Sequence, residues 1–105
     1  MTERRRTVRA TREFFADLDA QLPSERGPNG EPSTNDFQVV ELFPIIERFA
    51  VGFHELPLLI DGNDRYRVLV MTGVLVARIA VTAQLAADDA VELLALDLDL
   101  STGWD

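Results

Sequence analysis

Along the last third of the chain, apolar and polar residues alternate with period two in three successive runs. Residues 66–71 (YRVLVM), 74–85 (VLVARIAVTAQL) and 91–100 (VELLALDLDL) predict a three-stranded antiparallel meander. Thr72-Gly73 between the first two runs predicts a two-residue hairpin turn, with Gly supplying the positive φ. That turn sets Met71 opposite Val74, Leu69 opposite Val76 and Arg67 opposite Arg78. One face then gathers Tyr66, Val68 and Val70 with Leu75, Ala77, Ile79, Val81, Ala83 and Leu85. Leu94, Leu96, Leu98 and Leu100 join them, because a one-residue slip would turn all four to water. The opposite face carries Arg67, Arg78, Thr82, Gln84, Asp97 and Asp99, with Arg78 facing Asp97 or Asp99.

Upstream the pattern changes. Residues 4–10 (RRRTVRA) read as an extended arm or a short edge strand, Arg-rich as an exposed edge requires. Thr11 is placed to cap a helix over 12–22, where Phe14, Leu18 and Leu22 recur at helical spacing and Pro23 stops the run. Residues 24–35 (SERGPNGEPSTN) have linker composition, and a loop of that length is expected to be mobile or to meet a partner. A second helix follows at roughly 36–49, capped by Asn35 or Asp36. Pro44 either kinks it or marks its true start after an extended 39–41. The reading favoured is a helix centred on 44–50. Residues 51–60 have no clean period, and Asp61-Gly62-Asn63-Asp64 is a turn.

The length allows one domain, and a 47% hydrophobic content supplies a core. No run is long enough for a membrane span and no signal-peptide pattern opens the chain, so the expectation is a cytoplasmic protein with no membrane partner. With no cysteine, disulfides and thiolate metal sites are excluded, and a single His54 argues against histidine-based metal or triad chemistry. No cofactor is expected. The net charge is −8. Residues 1–12 hold five Arg against Glu3, a net of +4, so the remaining 93 residues carry −12. That balance argues against nucleic acid as a partner, except weakly at the Arg-rich N-terminus.

Three segments together resemble the RelE/ParE superfamily of type II toxins, which includes the HigB group. They are Thr7-Val8-Arg9-Ala10-Thr11 with Phe14, Phe15 and Leu18 after it, Gly62 followed by Tyr66-Arg67-Val68-Leu69-Val70, and the terminal strand at 91–96. The resemblance implies an α+β fold in β-α-α-β-β-β order, two N-terminal helices packing on one face of a small antiparallel sheet. It also implies a cognate antitoxin segment as partner, with a homodimer left open. Ribonucleases of that family use a cluster of Lys and Arg, often with Tyr or His, on the sheet face away from the helices. Here there is no Lys, and no C-terminal Tyr or His. The positions near the ends of the last strands hold Gln84-Leu85 in one register, and Asp97 and Asp99 in the other.

Arg65, Arg67, Arg78, Gln84, Asp97 and Asp99 are therefore the candidate binding residues, and no catalytic residue is assigned. Read without function, they are cross-strand ion pairs on a solvated sheet face. Read with function, the face receives an antitoxin tail or a basic peptide. Asp61, Asn63 and Arg65 mimic the start of a calcium loop, but Arg stands where an oxygen ligand belongs and the distal Glu is missing. His54 reads as a loop hydrogen-bonder, and Trp104 as a cap on the core edge. Three functions stand: a non-nucleolytic toxin-like binding module, a divergent mRNA ribonuclease using Arg67 and Arg78, and a non-toxin α+β dimerisation or adaptor domain.

Overall fold

The computed structural model describes residues 5–28 and 30–100 as an α+β fold. The short strand β1 (Val8–Ala10) leads into helix α1 (Arg12–Gln21), followed by α2 (Thr34–Val40) and α3 (Leu42–Gly52). A 3-10 turn at Phe53–Glu55 then precedes strands β2 (Leu58–Ile60), β3 (Asn63–Met71), β4 (Arg78–Leu85) and β5 (Val91–Asp99). The sheet order is β1-β5-β4-β3-β2, with β1 parallel to β5 and every other pair antiparallel. Among the described residues no helix is long and apolar enough to cross a membrane. Trp104 and Arg4 lie outside the described residues.

Thr11 caps α1 as its position predicts, its hydroxyl accepting the Phe14 N–H at 3.3 Å while donating to the Leu93 carbonyl at 2.7 Å. Phe14, Leu18 and Leu22 face inward. The cap of α2 is Ser33, not Asn35 or Asp36. Ser33 and Asp36 form a reciprocal capping box, Asp36 N–H to Ser33 Oγ at 3.1 Å and Ser33 N–H to Asp36 Oδ2 at 3.0 Å. Nor is there an extended stretch before Pro44. Two helices abut at Glu41, and Pro44 stands in the first turn of α3, where its missing N–H removes no helical bond. The connection before α2 is tied to the start of that helix: Thr34 N–H reaches the Pro23 carbonyl at 2.9 Å, and Arg26 pairs with Asp36.

The meander exists, but its first turn is not the two-residue hairpin. β4 begins at Arg78, leaving a six-residue connection over 72–77. Met71 therefore pairs with Ile79, Leu69 with Val81 and Arg67 with Ala83. This reverses the face of β3. Leu69 is buried, while Val70 stands 57% exposed and Tyr66 and Val68 share its side. Gly73 is needed for close approach rather than for positive φ. A Cβ there would lie 2.6 Å from Glu41 Oε2 and 2.7 Å from the Val76 carbonyl oxygen.

In β5, Leu96 and Leu98 face the core as the alternation predicts. So do Val91 and Leu93, which have the other parity. A bulge reconciles them: Thr82 pairs with Ala95 and Ala83 with Leu93, leaving Leu94 as the extra residue. The core is one cluster. Phe14, Leu18, Phe37, Ile45 and Phe49 from the helices meet Leu69, Ile79, Val81, Val91, Leu93 and Leu96 from one sheet face. Each such side chain contributes about 1.5–3 kcal/mol by leaving water.

Candidate functional site

The sheet face turned away from the core is where the sequence places a site. Its register is read across three strands. Tyr66 neighbours Gln84, Val68 neighbours Thr82 and Val70 neighbours Ala80. On the other side of β4, Gln84 lies beside Glu92, Thr82 beside Ala95, Ala80 beside Asp97 and Arg78 beside Asp99. The middle of this face is small and apolar, with polar groups at its two ends.

The end at Gln84 is a linked polar chain. Gln84 Nε2 donates to Glu92 Oε1 at 2.9 Å, and Arg9 Nη2 donates to Glu92 Oε2 at 3.3 Å. Arg9 also reaches Asp88 at 2.9 Å. The Arg9 hydrogen bonds hold the Asp88 carboxyl below its ordinary range, with the Ala90 N–H adding to the effect. The other end carries Arg78 beside Asp99, with Asp97 next along the strand. This neighbour relationship is the one the sequence predicts.

Arg67 is not in that row. It is 9% exposed and turns to the core side, beneath the 3-10 turn. Its Nη1 donates to the Leu56 carbonyl at 2.8 Å and the His54 carbonyl at 3.3 Å, and its Nε to the Asp64 carbonyl at 3.2 Å. The guanidinium carbon sits 5.7 Å from the Phe53 ring centroid. An expected lateral contact between Arg67 and Arg78 is therefore absent, because the longer 72–77 connection moves their strands five residues out of the expected register. Arg65 is exposed, with its guanidinium donating to the Leu85 carbonyl at 2.6 Å. Of the three arginines expected on this face, the β3–β5 register places only Arg78 beside the two aspartates.

On this face Arg78 lies beside two carboxylates, Asp97 and Asp99, whose charge opposes an anion brought to it, while Arg9 at the other end is engaged by Asp88 and Glu92. His54 sits off this face, its Nε2 3.2 Å from Arg6 Nη2, in a hydrogen-bonding role. Among the described residues no three of His, Asp and Glu converge as metal ligands.

Two further features escaped the sequence reading. Glu41, at the α2–α3 junction, is 1% exposed, and its Oε2 accepts the Leu75 N–H at 2.7 Å. Nothing local marks it, since its partner lies 34 residues away. The second is β2, whose Leu58, Leu59 and Ile60 are all exposed at the end of the sheet. Its signal was the bare apolar run 58–60 before a turn, too short to show a period. No family model, curated protein or solved structure matches the chain.

Proposed function

We propose that this chain is a protein-binding module of the type II toxin kind, held by a cognate antitoxin segment and without ribonuclease activity. The observation that carries the second half is the place of Arg67. Its guanidinium is spent on three backbone carbonyls at the edge of the core, so the open face lacks the cationic cluster that phosphate chemistry needs. The first half is supported by the order of the elements. An N-terminal strand, helices and then an antiparallel run of strands resembles the RelE/ParE order, from which the third helix and the three-residue β2 depart.

An uncovered sheet face with an apolar centre is a surface suited to a protein rather than to a nucleotide. The net charge of −8 points the same way and favours a basic partner. Expression with the neighbouring gene product should yield a co-purifying complex. Primer extension on mRNA after expression of the chain alone should show no codon-linked cleavage. Cleavage that disappears in Arg78→Ala would replace this reading with a nuclease. A chain that neither arrests growth nor captures the neighbouring product would return it to the adaptor class.

A further inference from the structure

The two ends of the sheet differ. Beyond Leu93, no strand among the described residues lies on the outer side of β5, yet that edge is occupied. Asp17 Oδ2 accepts the Leu96 N–H at 3.0 Å, Gln21 Nε2 donates to the Leu96 carbonyl at 2.7 Å, and Gln21 Oε1 accepts the Leu98 N–H at 2.7 Å. Two side chains of α1 thus make the bonds that a sixth strand would make. Further along, β1 is flanked by the charges of Arg5, Arg6 and Arg9, and the Arg6 N–H is taken by the Ala50 carbonyl at 2.9 Å. Charge and side-chain cover are the devices by which sheet edges avoid unwanted pairing.

β2 is guarded more lightly: it is three residues long, follows Pro57 and pairs irregularly with β3, but carries no charge of its own. It pairs only with β3 and ends the sheet. Its three residues, Leu58, Leu59 and Ile60, are 40, 46 and 49% exposed. Successive strand residues point to opposite faces, so apolar side chains are exposed on both faces of this edge. An exposed apolar edge strand is a template for an added strand. Its surroundings select the partner by charge. Glu55, Asp61 and Asp64 flank it and are exposed. Of the cations on β3, Arg67 opposite Leu58 is buried with its guanidinium on the His54 and Leu56 carbonyls, and Arg65 has its guanidinium turned to the Leu85 carbonyl. A second copy pairing here would bring these carboxylates against their own kind.

The geometry points to β2 as a docking strand for an extended segment of another protein, apolar at its centre and flanked by Lys or Arg. This rests on the binding-module reading and not on kinship with toxins. The segment would extend the sheet by main-chain hydrogen bonds, with Leu58, Leu59 and Ile60 supplying apolar contact on both faces. Its flanking cations would face Glu55, Asp61 and Asp64.

The probe is a synthetic peptide with a central valine run and lysines on both sides, titrated into the full chain. A peptide of the same charge with prolines interrupting the valines serves as the control, since proline cannot donate to a ladder. The backbone amides of 58–60 should shift and gain protection from hydrogen exchange. Affinity should fall about tenfold or more in Leu59→Lys and with the proline peptide, and should weaken with salt. Ile60→Lys gives a second variant at a half-exposed position. The proposal is overturned if the two peptides bind alike, if neither binds, or if the shifts fall on the open sheet face. Protection of 58–60 by self-association of the free protein would assign the edge to a second copy and overturn it too. A natural partner whose capture ignores Leu59→Lys would sink the docking strand and leave the module standing. Peptide docking at β2 in a chain without toxicity would do the reverse to the toxin kinship.

Discussion

The buried carboxylate of Glu41 accepts the backbone N–H of Leu75 at 2.7 Å, fastening the α2–α3 junction to the connection between β3 and β4. That bond, with Gly73 pressed against the same carboxylate, sets the length of the connection and so the register of the sheet. Glu41→Ala leaves the Leu75 amide without its acceptor and should cost about 1–3 kcal/mol. Glu41→Gln retains an acceptor oxygen and should cost less. Gly73→Ala should destabilise as well, by forcing a Cβ into the carboxylate and the Val76 carbonyl. Urea denaturation of the three variants gives the order, and a neutral Glu41→Ala would mean that the bond does not hold the connection.

Arg67 is predicted to be a structural residue. Arg67→Ala strands three carbonyls near the 3-10 turn, and should cost about 2–3 kcal/mol. Arg67→Lys should recover only part of the loss, because an ammonium cannot reproduce the flat fork of donors. Denaturation measures both. A variant of wild-type stability that has lost a binding or cleavage activity would instead place Arg67 in a functional surface.

Core and face should separate in the same experiment. Ile79→Ala and Leu96→Ala remove side chains that are 0 and 3% exposed, and should each cost about 2–5 kcal/mol. Asp99→Ala, on the exposed end of β5, should cost less than about 1 kcal/mol. Equal losses would mean that the two faces are exchanged.

Acid should weaken the start of α2. The Arg26 guanidinium beside Asp36, together with the Ser33 N–H, holds that carboxyl far below its ordinary value of 3.8. A carboxyl so lowered in the folded chain gives stability that is complete above the unfolded value. It is lost as the pH falls from about 4 through the lower folded value. Unfolding midpoints should therefore fall with pH in that range, and less steeply in Asp36→Asn. NMR titration of the Asp36 carboxyl at the ordinary value would contradict the capping geometry.

Much of the fold is legible from local pattern. Thr11 and Pro23 bracket α1, and the three period-two runs give the meander and the neighbours Arg78 and Asp99. What is not legible depends on distant partners. The run 74–77 has strand composition, yet Glu41 and Gly73 draw it into a connection, and Val76 is buried there. That displacement moves Arg67 from the open face to the core side. An alternating arginine reads as solvent-facing until three carbonyls of the 54–64 segment are seen to await it. The bulge at Leu94 hides in the same way, since Val91, Leu93, Leu96 and Leu98 cannot share a face under strict alternation. The Ser33–Asp36 box was written in the sequence, within a stretch whose Gly and Pro content spoke more loudly for a linker.

A fibre built from sheets joined edge to edge requires two adhesive margins on every copy. Here Asp17 and Gln21 occupy one margin, and arginines stand along the strand beside it. A partner segment seated on β2 would cover the remaining margin and leave only guarded ones outward. Growth through the sheet would stop at that complex. Removing those two side chains of α1 would turn a chain that can only terminate an array into one able to propagate it.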